Sequence, residues 1–297
     1  MVLNAWSGDG SAERARDRLI ELFAAAGHPV SITLARDGSE LTRAISDALA
    51  AGVDTLVIGG GDGTLSTAAA ALAGTSTRFG ILPLGTLNHF AKDLGIPLGL
   101  DEAAGVVLAG HTIRVDVGEV NGRIFLNNSS LGLYPRVLRL RERHPARGWK
   151  KWLVALWAAL KLIRHHPNMR VRIETGGRTV EYRTPVVFIG NNEYQTAGIT
   201  TGIRKSIADG LLAIYVVRSR GRPRLLRLAW RMFTGKVVET GELDVLKASS
   251  ARIEISGARS IEAALDGELT GLDSPLQYRI NPAALTVLVP QPIAHSP

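Results

Sequence analysis

A glycine-rich segment with one aspartate and one threonine, Gly59-Gly60-Gly61-Asp62-Gly63-Thr64, has the clearest chemistry in the sequence. It follows an almost wholly apolar stretch, residues 53–58, and precedes a run of small residues with helical character. Glycines let backbone N–H groups approach a phosphate closely, and a following helix N-terminus favours anions. The segment therefore predicts a phosphate-binding loop, although it matches neither a Walker A loop nor the dinucleotide G-x-G-x-x-G pattern. The alternative is a strand-to-helix turn in which Asp62 caps the helix.

A second polar glycine loop, Pro83-Leu84-Gly85-Thr86-Leu87-Asn88, follows the next apolar stretch, residues 79–82. If the two preceding strands are parallel neighbours, their carboxyl ends lie at the same sheet edge and both loops line one crevice. Thr86 and Asn88 carry donors for phosphate oxygens, and each is equally suited to cap a helix.

A third segment, Leu265-Asp266-Gly267-Glu268, lies far along the chain. Asp-Gly between apolar runs is typical of a hairpin turn. The alternative is that the two carboxylates act as a base and a metal-linked acid. The pattern alone leaves both interpretations open.

The elements around the first two loops alternate between helix and strand. We predict helices over residues 12–26, 39–51 and 65–73 and strands over residues 30–34, 53–58 and 79–82. This alternation is typical of an open α/β domain with a parallel sheet.

From about residue 113 strand patterns dominate, and Asn121-Gly122 and Gly176-Gly177 are typical of tight hairpin turns. We predict a mainly antiparallel β part with two inserted helices and a domain boundary near residue 115, which gives domains over residues 1–115 and 116–297. The predicted strands of this part are 113–120, 123–128, 171–175, 179–182, 186–190, 211–217, 252–256, 261–265, 276–280 and 284–289.

The composition is that of a globular protein, with 297 residues of which 45% are hydrophobic and 21% charged. It excludes a disordered, collagenous or coiled-coil chain. The absence of cysteine excludes disulfides, thiolate metal sites and thiol catalysis. The sequence shows no signal-peptide core, and its longest apolar run, residues 152–160, is too short to span a bilayer. We therefore expect a cytoplasmic protein.

Basic residues concentrate in two segments. Eleven Lys or Arg stand against one acidic residue between residues 136 and 172, and seven against none between residues 218 and 236. Such segments favour an anionic partner surface. Residues 149–163 and 225–233 have apolar residues at helical spacing, which predicts amphipathic helices for an anionic membrane interface. The alternative is that both helices pack on their own sheet.

Nucleic acid is the other anionic partner class. We exclude it because the sequence contains no recognised nucleic-acid module and its few aromatic residues cluster with leucines in helices. His165 and His166 are adjacent, so their side chains diverge on a helix and do not predict a metal site. A homo-oligomer is compatible with the sequence, which does not fix the oligomeric state.

Three segments, in their order and spacing, resemble the diacylglycerol kinase catalytic-domain family. They are residues 59–69 (GGGDGTLSTAA), 81–97 (ILPLGTLNHFAKDLGIP) and 265–268 (LDGE). This family includes sphingosine kinases and bacterial lipid kinases and is distantly related to NAD kinases. The opening Asn4-Ala5-Trp6-Ser7-Gly8 resembles its N-P-x-S-G element, and residues 209–212 resemble a D-G-x-L strand start. The similarity covers nearly the whole chain.

The resemblance implies an ATP-dependent lipid kinase that acts on diacylglycerol or a related lipid alcohol at an anionic membrane surface. It implies an α/β nucleotide domain, a β-rich domain whose C-terminal residues return to the first, and an active site in the cleft between them. Asp266 is the implied base for the lipid hydroxyl with Glu268 close to it, and Asp62 and Asp209 are the implied contacts of Mg²⁺. The residues implied to bind the nucleotide are Asn4, Ser7, Gly8, Gly60, Gly61, Asp62, Gly63, Thr64, Thr86 and Asn88.

Two departures from the family pattern stand out. His89 occupies a position where many relatives have Asp, and Ala5 stands where Pro is usual. His89 cannot replace a carboxylate as an anionic partner of Mg²⁺, so we expect metal geometry or nucleotide affinity to differ. Two alternatives follow: a soluble NAD kinase-like enzyme, and a catalytically silent protein that binds lipid or nucleotide.

Overall fold

The structure, a computed structural model, describes residues 1–5, 11–143, 168–194, 204–217 and 243–291. The chain divides into two compact units, the first formed by residues 1–117 together with the segment from residue 283 onward, and the second by residues 118–282. The division falls within strand β5 (Thr112–Val120), in which the predicted boundary near residue 115 also lies. Strand β16 (Leu276–Leu288) likewise contributes residues to both units.

The first unit is an α/β domain with a parallel sheet in the order β2-β1-β3-β4-β16. Consecutive residues of β3 such as Leu56, Val57 and Ile58 are all buried, so both faces of this sheet are covered. The strands are β1 (Val2–Asn4), β2 (Thr33–Ala35), β3 (Thr55–Gly60) and β4 (Arg78–Pro83), and the helices are α1 (Ser11–Ala25), α2 (Gly38–Ala50), α3 (Asp62–Leu72), α4 (His89–Asp93) and α5 (Leu100–Ala109).

The strand order of the first unit defines where a ligand can bind. After β1 the chain adds β2 on one side and then returns to add β3 on the other side of β1. In open α/β sheets such a switch point opens a crevice at the carboxyl ends of the strands, which is the usual ligand site of this architecture. The loop after β3 carries the glycine-rich segment, so the topology places it at this switch point.

The second unit is a sandwich of two sheets, and the pairs whose register is resolved are antiparallel. One sheet has the order β16-β13-β8-β9 with β5 and β6 beside β16, and the other has the order β12-β11-β10-β7-β14-β15. The elements are β6 (Arg123–Phe125), β7 (Asn128–Gly132), α6 (Leu133–Arg143), β8 (Met169–Thr175), β9 (Arg178–Thr184), β10 (Val186–Asn191), β11 (Leu212–Val217), β12 (Leu243–Ala248), β13 (Ser250–Ile255), β14 (Ser260–Leu265) and β15 (Glu268–Asp273).

The core of the second unit lies between its two sheets. Val171, Ile173 and Ile253 from one sheet and Leu131 and Ile214 from the other belong to one buried apolar cluster. Inward-facing residues alternate with outward-facing ones, as in β8, where Arg170 and Arg172 are exposed and Val171 and Ile173 are buried. This alternation is expected for a sandwich in which each sheet has one covered face.

The structure differs from the sequence prediction in one merged strand and in several additional elements. The prediction has separate strands at residues 276–280 and 284–289, but β16 runs through Pro282, with a positive φ of 50° at Ala283. Strands β7, β12 and β15 and helices α4, α5 and α6 have no counterpart among the predicted ranges. The amphipathic helices predicted over residues 149–163 and 225–233 lie outside the described residues. No helix in the described part of the chain is both long enough and apolar enough to cross a membrane.

Candidate functional site

The glycine-rich segment links β3 to α3. Gly60 ends the strand, Gly61 is the N-cap of the helix with extended backbone (φ −89°, ψ −177°), and Asp62 is the first helical residue. A glycine N-cap has no side chain to accept the N–H groups of the first turn. The alternative that Asp62 caps this helix is therefore wrong. The N-terminus of α3 presents backbone donors without an intervening side-chain cap.

The second glycine loop lies beside the first. Strands β3 and β4 are parallel neighbours with Gly60 opposite Pro83, which confirms that both loops leave the same sheet edge. The Leu84 N–H donates to the carbonyl oxygen of Gly60 at 3.1 Å. A Cβ on Gly85 would clash with the Cα of Gly61, so the two loops approach backbone to backbone.

Asn88 holds the second loop in shape. Its backbone is left-handed (φ 50°, ψ 47°), and the residue is only 4% exposed. Its side-chain oxygen accepts the Gly85 N–H at 3.0 Å, and its amide nitrogen donates to the carbonyl oxygens of Pro83 and Gly85 at 3.2 and 2.8 Å. Both amide hydrogens thus have partners within the loop. The structure gives Asn88 the role of fixing the loop, whereas Thr86 is exposed on it.

Two side chains connect the elements around the glycine loops. Asn4, at the end of β1, donates from Nδ2 to Oγ1 of the buried Thr64 at 2.8 Å. Oδ1 of Asp62 accepts the backbone N–H of Phe90 in α4 at 3.3 Å. The predicted site residues that the structure brings to this edge are Asn4, Gly60, Gly61, Asp62, Gly63, Thr64, Thr86 and Asn88. Ser7 and Gly8 lie outside the described residues.

The departure at His89 falls at the start of α4. His89 is the first residue of this helix and is partly buried, and Lys92 in the last turn is exposed. The backbone N–H of the next residue, Phe90, donates to Oδ1 of Asp62 at 3.3 Å. The loop therefore keeps its contact to Asp62 without a second carboxylate at position 89.

The predicted base, Asp266, lies in the second unit at the turn between β14 and β15. Asp266 and Gly267 both have positive φ, 49° and 89°, and Leu265 pairs with Glu268. The interpretation as a hairpin turn is therefore confirmed. Glu268 is exposed at the start of β15.

Three backbone N–H groups converge on the Asp266 carboxylate. Oδ2 accepts from Leu126 at 2.7 Å, and Oδ1 accepts from Asn127 at 2.7 Å and Asn128 at 3.0 Å. The Asp266 N–H in turn donates to the Asn128 carbonyl oxygen at 2.9 Å. Consecutive N–H groups that enclose an anion form a nest, and here they fix the orientation of one carboxylate.

The carbonyl groups of the same segment are held by residues that sequence reasoning missed. The Leu126 oxygen accepts from Asn191 Nδ2 at 2.7 Å and from Arg204 Nη1 at 2.8 Å. The Asn127 oxygen accepts from Tyr194 Oη at 3.0 Å. Asn191 ends an apolar strand, and a polar residue at that place is a weak sign of a functional side chain. The residues around Arg204 do not indicate that it is buried.

The predicted metal contacts are Asp62 and Asp209. Asp209 is exposed, and its N–H donates to Oδ1 of the buried Asn192 at 3.2 Å. Among the residues that the structure describes, no three His, Asp or Glu side chains gather into a metal site. A role of either aspartate in metal binding stays a prediction.

Two ionisable groups near this network have shifted pKa values. Hydrogen bonds from Lys247 and Lys205 lower the pKa of Glu193, whose oxygens lie 2.5 and 3.1 Å from the two ammonium groups. Burial raises the pKa of Tyr215 to about 12, and its oxygen accepts the Tyr194 N–H at 2.9 Å. Tyr215 therefore stays neutral, and Glu193 stays ionised, around neutral pH.

Comparisons with known proteins match both units. Residues 1–120 match the diacylglycerol kinase catalytic domain, and residues 132–289 match the YegS C-terminal NAD kinase beta sandwich-like domain. A diacylglycerol kinase of Mycobacterium tuberculosis is 30% identical over 300 residues, which cover 98% of this chain and 94% of that protein. A protein of Pseudomonas aeruginosa described as "Probable lipid kinase YegS-like" is 31% identical over 272 residues, covering 89% of this chain and 86% of the relative.

Solved structures show the same architecture. A crystal structure of a diacylglycerol kinase from Bacillus anthracis superposes with a TM-score of 0.71 at 25% identity, covering 97% of this chain and 95% of that chain. The α/β unit with its parallel sheet and the antiparallel sandwich thus recur together in a relative. With the matches to both domains, this likeness shows that the chain belongs to the family of diacylglycerol kinases and YegS-like lipid kinases.

Proposed function

We propose that this protein is an ATP-dependent lipid kinase that transfers the γ-phosphoryl group of ATP to a lipid hydroxyl, that of diacylglycerol or a related lipid alcohol. The observation that carries the proposal is the backbone contact of the two glycine loops at the N-terminus of α3. Family membership supplies the reaction class, because the relatives are named as kinases.

The nucleotide phosphates fit the glycine loops. Gly61 leaves the first-turn N–H groups of α3 without a side-chain cap, and the helix dipole favours negative charge at this end. Gly60 is required for a different reason: a Cβ there would lie 2.6 Å from atoms of the Thr64 side chain, so only glycine lets Thr64 pack against the turn. Among the described residues, no side chain caps the first-turn N–H groups of α3, so they are available as donors to a phosphate.

The residues at this edge also fit Mg²⁺ carried by a nucleotide. Mg²⁺ usually binds through one or two protein carboxylates together with substrate phosphates and water, and it does not require a cage of side chains. Asp62 supplies one carboxylate beside the phosphate loop, and it shares Oδ1 with the Phe90 N–H. When bound, Mg²⁺ neutralises phosphate charge.

Asp266 is proposed to accept the proton of the lipid hydroxyl. Its carboxylate is oriented by three N–H donors, so it is held in a fixed position relative to the sandwich. Phosphoryl transfer proceeds through a loose transition state, in which positioning and charge neutralisation matter more than early proton removal. Asp266 therefore need only orient the hydroxyl and take its proton late. Glu268 is exposed two residues further on and is proposed to assist at the same turn.

The basic segments support action at an anionic membrane surface. A lipid acceptor must be reached in a bilayer, and basic residues near such a surface each add about 1 kcal/mol of attraction. Residues 136–172 and 218–236 hold the excess basic charge. We propose that they bring the protein to the membrane as a peripheral protein.

A soluble NAD kinase-like enzyme is the second candidate. The match of residues 132–289 to an NAD kinase-like sandwich favours it. A lipid kinase phosphorylates a component of a lipid extract, and an NAD kinase phosphorylates NAD, so the acceptor separates the two. A third candidate is a protein that binds its ligands without catalysis, because His89 departs from the family pattern.

One experiment distinguishes these candidates. The purified full chain is incubated with γ-³²P-ATP and Mg²⁺ and with either a total lipid extract or NAD, and the labelled product is identified. We expect label in a lipid, and at least about 10²-fold less of it with the Asp62→Asn and Asp266→Asn variants. Label in NADP alone would establish the second candidate, and ATP binding without any labelled product would establish the silent protein.

A further inference from the structure

The backbone between β6 and β7 has two differently bonded sides. The N–H groups of Leu126, Asn127 and Asn128 all donate to the Asp266 carboxylate. The carbonyl oxygens of Leu126 and Asn127 accept hydrogen bonds from a separate set of residues. The segment thus connects Asp266 to the groups that hold its carbonyls.

Arg204 is the charged member of that second set. It is only 5% exposed, and Nη1 donates to the carbonyl oxygens of Leu126 at 2.8 Å and Asn191 at 3.1 Å. An isolated β-bridge between Tyr194 and Arg204 fixes the backbone from which the side chain extends. Burial of a guanidinium is costly unless its N–H groups are hydrogen-bonded, and here Nη1 has two carbonyl partners. The buried charge here reaches the peptide that carries one of the Asp266 donors.

The carbonyl of Leu126 and the N–H of Asn127 belong to the same peptide group. A cation that bonds to the carbonyl oxygen draws electron density toward it and makes the N–H a stronger donor. Arg204 at one end of this peptide and the Asp266 carboxylate at the other therefore polarise it in the same direction. Asn191 Nδ2 donates to the same oxygen at 2.7 Å and acts in the same sense.

We propose that Arg204 is a positioning residue for Asp266, acting through the Leu126–Asn127 peptide to hold the carboxylate in its transfer orientation. The inference rests on the proposed function, in which Asp266 takes the hydroxyl proton. It assigns to Arg204 a role in the transfer step, and none in nucleotide binding. Loss of Arg204 then lowers kcat and leaves the KM for ATP unchanged.

The test uses Arg204→Met and Arg204→Lys in the full chain, with Arg252→Met as the control because Arg252 is an exposed arginine of the same unit. Steady-state kinetics with ATP and the identified lipid acceptor give kcat and both KM values. We expect Arg204→Met to lower kcat by about 10- to 100-fold with the KM for ATP within about twofold of wild type. Arg204→Lys recovers part of the loss, and Arg252→Met matches the wild type.

A double-variant cycle separates positioning from general destabilisation. If Arg204 acts through Asp266, adding Arg204→Met to Asp266→Asn lowers kcat no further, whereas independent effects multiply. Additional loss in the double variant, a raised KM for ATP, or failure of Arg204→Lys to recover activity would overturn the proposal. If Arg204→Met does not fold, the Arg204→Lys variant in the same cycle gives the decisive comparison.

Amide hydrogen exchange distinguishes failure of this inference from failure of the proposed function. We expect the amides of residues 126–128 to exchange at least about tenfold faster in Arg204→Met than in wild type, with the amides of α3 unchanged. If exchange is faster in Arg204→Met but Asp266→Asn has wild-type kcat, the coupling exists and Asp266 is not the base. Unchanged exchange at residues 126–128 would refute the coupling itself.

Discussion

Asp62 and Phe90 are joined by a hydrogen bond between two loops, in which Oδ1 of Asp62 accepts the Phe90 N–H at 3.3 Å. Asp62 begins α3 and Phe90 lies in the first turn of α4, so this bond ties together the helices that follow β3 and β4. The same carboxylate is the proposed contact of Mg²⁺. Its structural and chemical roles can be separated, because only the chemical role requires charge.

Asp62→Asn should therefore impair activity with little effect on the fold. The asparagine oxygen still accepts the Phe90 N–H, but the negative charge is lost. We expect kcat/KM for ATP to fall about 10²- to 10³-fold and the Mg²⁺ concentration for half-maximal activity to rise. Steady-state kinetics over a Mg²⁺ titration measures both, and thermal unfolding checks the fold. Wild-type kinetics would remove Asp62 from the site.

Gly85→Ala should disturb the contact of the two glycine loops. The new Cβ meets the Gly61 backbone, which cannot move aside as a flexible side chain would. We expect a loss of about 1–3 kcal/mol in the free energy of unfolding and a raised KM for ATP. Gly105→Ala is the control, since a Cβ at that position in α5 meets nothing within 4 Å. Urea denaturation should show that Gly105→Ala leaves the free energy of unfolding unchanged or raises it by about 0.5–1 kcal/mol. Equal behaviour of the two variants would contradict the packing argument.

Asp266→Asn should affect both catalysis and stability. The amide keeps one acceptor oxygen, and its NH₂ group then faces a backbone donor that had a carboxylate oxygen as partner. We expect kcat to fall by about 10²- to 10⁴-fold and the free energy of unfolding by about 1–3 kcal/mol. Kinetics well below the unfolding temperature, with nucleotide binding measured in parallel, separates the two effects. Full kcat in folded protein would refute the base assignment.

Lys247→Met should produce a pH-dependent loss of stability. The pKa of Glu193 is lowered in the folded protein, chiefly by Lys247. The pairing of Glu193 with Lys247 therefore stabilises the folded protein at pH values above the unfolded pKa of about 4.3. This stabilisation is lost as pH falls through the lower pKa of the folded state. We expect the variant to be about 0.2–1 kcal/mol less stable at pH 7, with the difference shrinking as pH falls below about 4.3 and vanishing below the lower folded pKa of Glu193. A difference that is constant from pH 3 to pH 7, measured by urea denaturation, would disagree with this.

Arg170→Glu should stabilise the second unit. Arg170 lies directly opposite Arg183 on β8 and β9, and like charges in that register repel. Replacement with glutamate creates an opposite pair, for which we expect a gain of about 0.2–1 kcal/mol in the free energy of unfolding. Arg172→Glu is the matched control, because Arg172 lies opposite Glu181 on the same two strands. This change creates a like-charge pair, so it should lower the free energy of unfolding. Two variants that shift stability in the same direction would contradict the register argument.

The sequence predicted the features that local pattern determines. The apolar runs before the two glycine loops are parallel neighbours, and Asp-Gly at Asp266 is a hairpin turn, as the spacing indicated. The resemblance to lipid kinases is confirmed by the matches to both domains. The turns depend on residues close together in the chain, whereas the resemblance depends on the order of several motifs along nearly the whole sequence.

Contacts between distant residues could not be predicted. The bonds between Arg204 and Leu126 join positions 78 residues apart, and nothing around Arg204 distinguishes it from a solvated arginine. Strand β7 begins with Asn128, Ser129 and Ser130, whose polarity hides its central position between β10 and β14. The buried Ser129 instead shares a hydrogen bond with Tyr278 at 2.9 Å, a partner that sequence alone does not reveal.

Strand β16 has a consequence for how the protein is made. Thr286 and Val287 pair with Arg78 and Phe79 of β4, so the sheet that carries the two glycine loops takes its last parallel strand from residues 208 positions later in the chain. During synthesis on the ribosome, the edge of β4 therefore stays unpaired until residues 286 and 287 have been added. A premature stop shortly before residue 286 would leave the sheet under the glycine loops without this strand, although both loops would be intact in sequence.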